Sequence, residues 1–468
     1  MKQFLNFLGI LILLLQIMNH ATAQDTSNKL IGNWSGEIEL PTMKLEMIFK
    51  IFEDEKGVLF AKLDVPAQGA KDLPIEEIIT TNDSLILKIP MIMGTYKGKI
   101  TTSESIEGKW LQGGTSIALN LKKIDKIPEL NRPQTPKEPF PYLSKEVEYL
   151  NKKSGLKLAG ILTFPKESKN CPAVILISGS GAQDRDETIF EHKPFMVIAD
   201  YLTKNGIAVL RVDDRGVGSS EGNIRAATSK DFAGDVLAGV NFLKSKAEID
   251  HSKIGLIGHS EGGLIAPIVA TSSNHIAFLI MLAGPGINGE QILYEQNDLS
   301  LKAAGMPESV INQNKQLQKA LFNILKTETD SAKLMDRLQR TLSGGMYPML
   351  DDATKKQVDA KVDGINSPWF KYFLTYDPQP TLAKVKCPVL ALNGSKDVQV
   401  PAMSNLEAIK KAITDGGNPN VKTIEFENLN HLFQNCETGS VAEYSQTEET
   451  IEPKVLEIIK DWIWEVIQ

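Results

Sequence analysis

From residue 28 to 124 the chain keeps a period of two. Met43, Leu45, Met47, Phe49 and Ile51 are apolar, and Lys44, Glu46 and Lys50 stand between them. Leu85, Leu87 and Ile89 alternate in the same way, as do Ile117, Leu119 and Leu121. Successive side chains of a strand point to opposite faces, so short alternating runs broken by Gly, Asp and Asn predict an antiparallel sheet. Closed on itself, it would make a small all-β sandwich or barrel over 28–124. Trp34 and Trp110 read as core residues of that sheet rather than as a ligand surface. Five prolines fall between Pro128 and Pro141, where neither a strand nor a helix can run, so 125–145 is expected to be a stiff linker.

Beyond Glu146 the pattern changes. Ala173 to Ile177, Ala208 to Val212, Lys253 to Ile257, Phe278 to Leu282 and Val389 to Leu392 are continuous apolar runs, most of them followed by Gly, Ser or Asp. Strands covered on both faces need such runs, so 146–468 is expected to be an α/β unit, a mostly parallel sheet flanked by helices. Between 287 and 378 the rhythm becomes helical and strandless, as Val310 to Lys326 illustrates. An insertion on the strand-end side of such a sheet reads as a helical lid.

The first 23 residues have a different logic. Met1-Lys2 supplies a positive charge, Phe4 to Met18 is nearly all apolar, and Ala21-Thr22-Ala23 follows. That is the order of a cleavable signal peptide, with an apolar run of about 15 residues, too short to span a bilayer. The expectation is an exported protein, periplasmic or extracellular, without a stable membrane anchor. The sequon at Asn393, beside a candidate catalytic acid, points to a bacterial host that leaves it unmodified.

Over the whole chain of 468 residues, 42% are hydrophobic and 23% charged, which excludes disordered and fibrous classes. With 51 basic and 58 acidic residues and no basic cluster, nucleic acid is not an expected partner. Three cysteines are too few for a disulfide framework or a four-thiolate zinc site. Six histidines leave few candidates for a general base.

Gly258-His259-Ser260-Glu261-Gly262 follows an apolar strand and opens a helix, the context of a nucleophile elbow. Gly258 and Gly262 serve the tight turn, His259 is held within it, and Ser260 is the expected nucleophile. A serine hydroxyl needs a base, and His is the usual one. His20 leaves with the leader, His251 and His275 lie at the wrong ends of strands, and His192 sits in an earlier loop as a possible substrate contact. His431, in the polar loop after the strand Lys422 to Phe426, remains. Asp397 emerges after Val389 to Leu392, 34 residues before His431, and would orient the imidazole. Two amides should bind the oxyanion, one from Glu261 after the nucleophile and one from Ser180 in the turn Ser178-Gly179-Ser180-Gly181.

Residues 146–468 resemble the α/β-hydrolase family, in particular its serine esterase and acyl-aminopeptidase-like branch of exported bacterial proteins. The resemblance rests on Ser178 to Asp186, Asp213 to Ser220, the elbow, Asn393 to Asp397 and Asn430-His431, in that order. Ser178 departs from it, standing where many relatives have His. The resemblance implies that Arg215 forms a structural ion pair near the oxyanion strand. A serine nucleophile implies acyl transfer to water with no metal and no organic cofactor. Trp369 and Phe370, within Trp369-Phe370-Lys371-Tyr372-Phe373, would suit the wall of an acyl or aryl pocket, which favours a small-molecule ester substrate. The alternatives are an exported serine aminopeptidase and a glycan- or lipid-binding protein on a degenerate hydrolase scaffold. Acyl length and oligomeric state are not encoded in any of these features.

Overall fold

The structure is a computed structural model that describes residues 29–39, 44–81, 83–127, 130–167 and 169–468. The leader expected over 1–23 lies outside the described residues. The chain divides into two compact units between Asn131 and Arg132.

In the first unit, ten described strands from Gly32–Glu39 to Leu121–Ile124 form one antiparallel sheet, and these two strands pair directly. The alternation places Leu45, Met47, Phe49 and Ile51 in the same core as Leu85, Leu87 and Ile89. Trp34, Tyr96 and Trp110 complete that core, with the Phe49 and Tyr96 rings 5.3 Å apart. Gly94 makes room for the Trp110 ring, which a Cβ there would strike.

The second unit is built on eight described strands: β1 Leu143–Asn151, β2 Leu156–Phe164, β3 Cys171–Ile177, β4 Ala208–Val212, β5 Ile249–His259, β6 Phe278–Leu282, β7 Val389–Gly394 and β8 Val421–Phe426. Their order is β1-β2-β4-β3-β5-β6-β7-β8. β2 is antiparallel to β1 and β4, and every later pairing is parallel. Every residue of β3, β6 and β7 is buried, as continuous apolar runs require. Helices Ser229–Leu243, Glu261–Ser272 and Ala402–Asp415 cover one face. Pro194–Lys204 and Pro453–Val466 cover the other. The sheet thus has the helical layers on both sides that the apolar runs called for.

One expectation needs adjustment. The stretch 125–145 is not a free connector throughout: Leu143 already opens β1, and Arg132 is docked on the second unit. Its guanidinium donates to the Phe190 carbonyl at 2.9 Å, to Ser445 at 3.1 Å and to Thr447 at 2.8 Å. Proline removes backbone donors, and here a side chain supplies the anchoring bonds that the backbone cannot. All three cysteine thiols are free.

Between β6 and β7 run the helices Gly289–Ala303, Glu308–Thr327, Ser331–Leu342, Asp352–Ile365 and Pro368–Thr375. They carry a small core of their own around Phe322, Leu325, Leu338, Val362 and Leu374. This helical layer rises from the carboxyl ends of the parallel strands, where such sheets place their sites.

Candidate active site

The elbow is shaped by contacts that only glycine permits. A Cβ on Gly258 would run into the Gly262 carbonyl, and one on Gly262 into the Ile177 carbonyl at the end of β3. Between them Ser260 is forced to φ 52° and ψ −119°, a region that non-glycine residues avoid unless the surroundings hold them there. Its N–H donates to the Leu282 carbonyl at 2.8 Å. Its hydroxyl does not cap the helix it precedes. Among the described residues it is not bonded to His431 either, so it is uncommitted. Catalytic hydrogen bonds in a substrate-free site are often loose in this way.

Asp397 and His431 come from neighbouring strand ends. The Lys396 N–H donates to the Leu429 carbonyl at 3.0 Å, which locks the turn after β7 against the loop after β8. Asp397 is buried, and its Oδ1 accepts from the backbone N–H of Gln399 at 2.8 Å and of Val400 at 2.9 Å. Its Oδ2 accepts from His431 Nδ1 at 2.7 Å. That bond puts the imidazole proton on Nδ1 and leaves Nε2 as a proton acceptor. Asn430 braces the loop by accepting from the N–H groups of Leu432 and Gln434. The His259 ring, beside Ser260 in the elbow, lies 4.8 Å from the His431 ring, so Ser260 and His431 share one strand-end edge.

The oxyanion-side turn follows β3. Gly179 lies so close to the elbow that a Cβ there would be 3.1 Å from Ser260 Cβ. The Gly179 N–H is already taken by Glu187 Oε1 at 2.6 Å. The Ser180 N–H has no hydrogen bond among the described residues. At Glu261 the first N–H of a helix has no intrahelical acceptor. Ser178 donates its hydroxyl to Asp214 Oδ1 at 2.8 Å, which braces the turn. Burial pushes the Asp214 carboxyl up to about 7 against its bonds from Ser178 and Gln183. Arg215 is paired with Asp235 at 2.7 Å and Arg185 with Asp213 at 2.7 Å, in the scaffold beneath.

The remaining pocket candidates separate. His192 is completely buried, with Nε2 donating to the Tyr444 carbonyl at 3.0 Å and Nδ1 against the Thr450 hydroxyl at 2.9 Å. Burial pushes it down to about 4, so it is a neutral internal strut and not a substrate contact. Phe370 turns into the lid core against Phe322. Trp369 reaches the elbow instead: its indole Nε1 donates to the Glu261 carboxylate at 2.8 Å, and Ser229 donates to the same oxygen at 2.6 Å. Burial holds Glu261 above the ordinary carboxylate range, against both bonds. Two carboxylates were not anticipated from sequence, the Glu261 side chain and Glu187. The only sequence trace of Glu187 is its place at the end of the acidic run Asp184-Arg185-Asp186.

The family model described as serine aminopeptidase, S33, matches residues 191–347. Esterase EstD of Thermotoga maritima is 28% identical over 308 residues, which is 65% of this chain and 65% of EstD. The chain therefore spans just under two thirds of that relative's length. An uncharacterised 31.7 kDa protein of Escherichia coli is 25% identical over 226 residues, 47% of this chain and 72% of its own. Among solved structures, an esterase of Pyrococcus furiosus aligns with TM-score 0.45 and 15% identity over 73% of this chain and all of its own.

Proposed function

With an α/β-hydrolase as the second unit of this chain, we propose a serine hydrolase that cleaves carboxylic esters, of short or medium acyl or aryl type, through an acyl-serine intermediate. One observation carries the reading: an uncommitted Ser260 hydroxyl on a strained turn, set on the same strand-end edge as a buried Asp397–His431 couple at 2.7 Å. His431 Nε2 takes the proton as Ser260 Oγ attacks the ester carbonyl. The oxyanion is held by the N–H groups of Glu261 and Ser180. His431 then returns the proton to the leaving alkoxide. Water, deprotonated by the same nitrogen, attacks the acyl carbonyl and restores Ser260. Asp397 stabilises the imidazolium at both stages. These steps use only the chain's own groups and water.

Esters are favoured over peptides by the state of the lid acids. Reading a charged peptide terminus needs a free carboxylate, but Glu290 is paired with Lys326 at 2.6 Å and bonded by Tyr294. Glu295 accepts from Ser404 and Gln291. The description of the matching family model supports the second reading, a serine aminopeptidase. Fluorophosphonate labelling of the full chain and of Ser260→Ala tests the mechanism. Wild type should label and the variant should not, and equal labelling refutes the assignment. A higher kcat/KM on an aminoacyl anilide than on a short aryl ester would select the aminopeptidase.

Export belongs to the same proposal, on the strength of the leader-like order of 1–23. Asn393 is buried with its amide donating to the Val400 carbonyl, so the folded chain has no room for a glycan there. N-terminal sequencing of protein recovered from the cell envelope should begin at Gln24.

A further inference from the structure

His259, the residue before the nucleophile, has an acceptor at each ring nitrogen. Nδ1 meets Glu187 Oε1 at 2.9 Å and Nε2 meets the His431 carbonyl at 3.0 Å. A neutral imidazole carries one N–H, so both bonds require the doubly protonated ring. Its counter-charge is at hand in Glu187, which is buried 72 residues away in sequence. The same Glu187 oxygen also accepts the Gly179 N–H at 2.6 Å. One carboxylate and one imidazole therefore tie together the turn after β3, the elbow after β5 and the loop carrying His431.

The backbone around Glu187 is bent to make this contact. Glu187, Phe190 and Glu191 all have positive φ, at 52°, 49° and 62°. Asp184 holds the bend by accepting from the N–H groups of Asp186 and Thr188. Residues kept in such conformations cluster where position matters more than local ease.

We propose that Glu187 is a positioning residue that, as a buried ion pair with the His259 imidazolium, sets the spacing between the oxyanion-side turn and the His431 loop. Because Glu187 occupies the Gly179 N–H, the neighbouring Ser180 N–H is the one left for substrate oxygen. Because His259 grips the His431 carbonyl, the base cannot drift from the nucleophile. The titratable groups facing His259 are Glu187 from the loop after β3, His431 from the loop after β8 and Asp397 from the turn after β7. Burial alone would strip the His259 proton, and the Glu187 charge outweighs it, so its pKa lies above the ordinary histidine value. The proposal rests on the serine-hydrolase reading for its catalytic consequence but not for the charge state of the ring.

The two parts are tested separately on the full chain. Nitrogen-15 NMR of the imidazole rings, with His259 assigned by its loss in His259→Gln, should give an imidazolium signature for His259 at pH 7.5. It should give a neutral ring in Glu187→Gln. A neutral His259 in wild type overturns the proposal. On a short aryl ester, Glu187→Gln should lower kcat about ten- to a hundredfold, the scale of ångström misplacement, with KM little changed. The double variant Glu187→Gln/His259→Gln should be no worse than the poorer single one, since coupled groups are not additive. Wild-type kcat in Glu187→Gln, or fully additive losses, overturns the positioning role. If wild type hydrolyses no ester, the functional reading fails while the NMR result still stands by itself.

Discussion

Replacing Trp369 by Phe isolates the bond between the helical layer and the elbow. The phenyl ring keeps the stack on Phe373, whose centroid lies 5.5 Å from the indole at an interplanar angle of 13°. What disappears is the indole N–H, and Glu261 Oε1 is left with the Ser229 hydroxyl alone. A hydrogen bond to a charged group contributes about 1.5–3 kcal/mol, so with a little lost packing the variant should lose about 2 kcal/mol where Glu261 is ionised. The sign of the pH dependence follows from Glu261. Its folded pKa is raised by burial, so its favourable, protonated contribution is complete below the unfolded value of 4.5 and is lost as pH rises through the folded one. Removing the indole raises the folded value further. The two proteins therefore differ only by packing where Glu261 is protonated in both, and by the whole bond where it is ionised in both.

The cost of Trp369→Phe should accordingly grow with pH. Urea or thermal unfolding followed by circular dichroism, across the pH range in which the fold is retained, measures it. At the alkaline end the midpoint should drop by about 4 °C, and at the acid end by clearly less. Limited proteolysis of the helices between β6 and β7 gives a local readout, with faster cleavage in the variant at the alkaline end. An equal loss at both ends would reduce Trp369 to packing. No loss at the alkaline end would refute the argument that the indole holds a buried carboxylate.

Four further outcomes are expected. Ser260→Ala should lower kcat on an aryl ester by about 10⁶ with an unchanged unfolding midpoint, and a loss below a thousandfold would remove Ser260 as nucleophile. Asp214→Asn keeps the Gln183 N–H on its one oxygen and turns the Ser178 bond round, the amide N–H donating to the serine hydroxyl, but it cannot ionise. Wild type loses stability as pH rises through about 7, so the variant should gain about 2 kcal/mol on it between pH 5 and pH 8, after discounting for a part-exposed edge. Arg132→Ala strips charged donors from three backbone carbonyls and should cost about 2–4 kcal/mol. For the same reason, a chain beginning at Asn131 should keep its activity on a small ester, whereas one beginning at Pro139 should be markedly less stable.

What was legible in the sequence and what was not divide along one physical line. The elbow is local: a strand, two glycines that cannot bear a Cβ and a helix are contiguous, so Ser260 can be read from eleven neighbouring residues. Asp397 is nearly as local, because it follows an apolar run that could only be a covered strand, whereas His431 follows the mixed edge strand Val421–Phe426 and is read from chain order and from the rule that strand ends gather at one edge. The front sheet shows its core by alternation alone. None of this logic reaches a loop that folds back on the molecule. His192 sits in a polar stretch that looks exposed, yet positive φ at Phe190 and Glu191 turns the ring inward to Tyr444 and Thr450. Trp369 and Phe370 are adjacent on a helix and so face about 100° apart. Only one of them could reach the elbow, and composition does not say which. Glu187 is the sharpest instance, since its two partners, Gly179 and His259, lie in two turns distant from it in sequence or direction. Periodicity records burial against a layer, and a side chain bonding to a distant backbone leaves no period. The groups proposed to do the chemistry are therefore readable from where strands end, whereas the groups that hold them in place can be found only once the loops are closed.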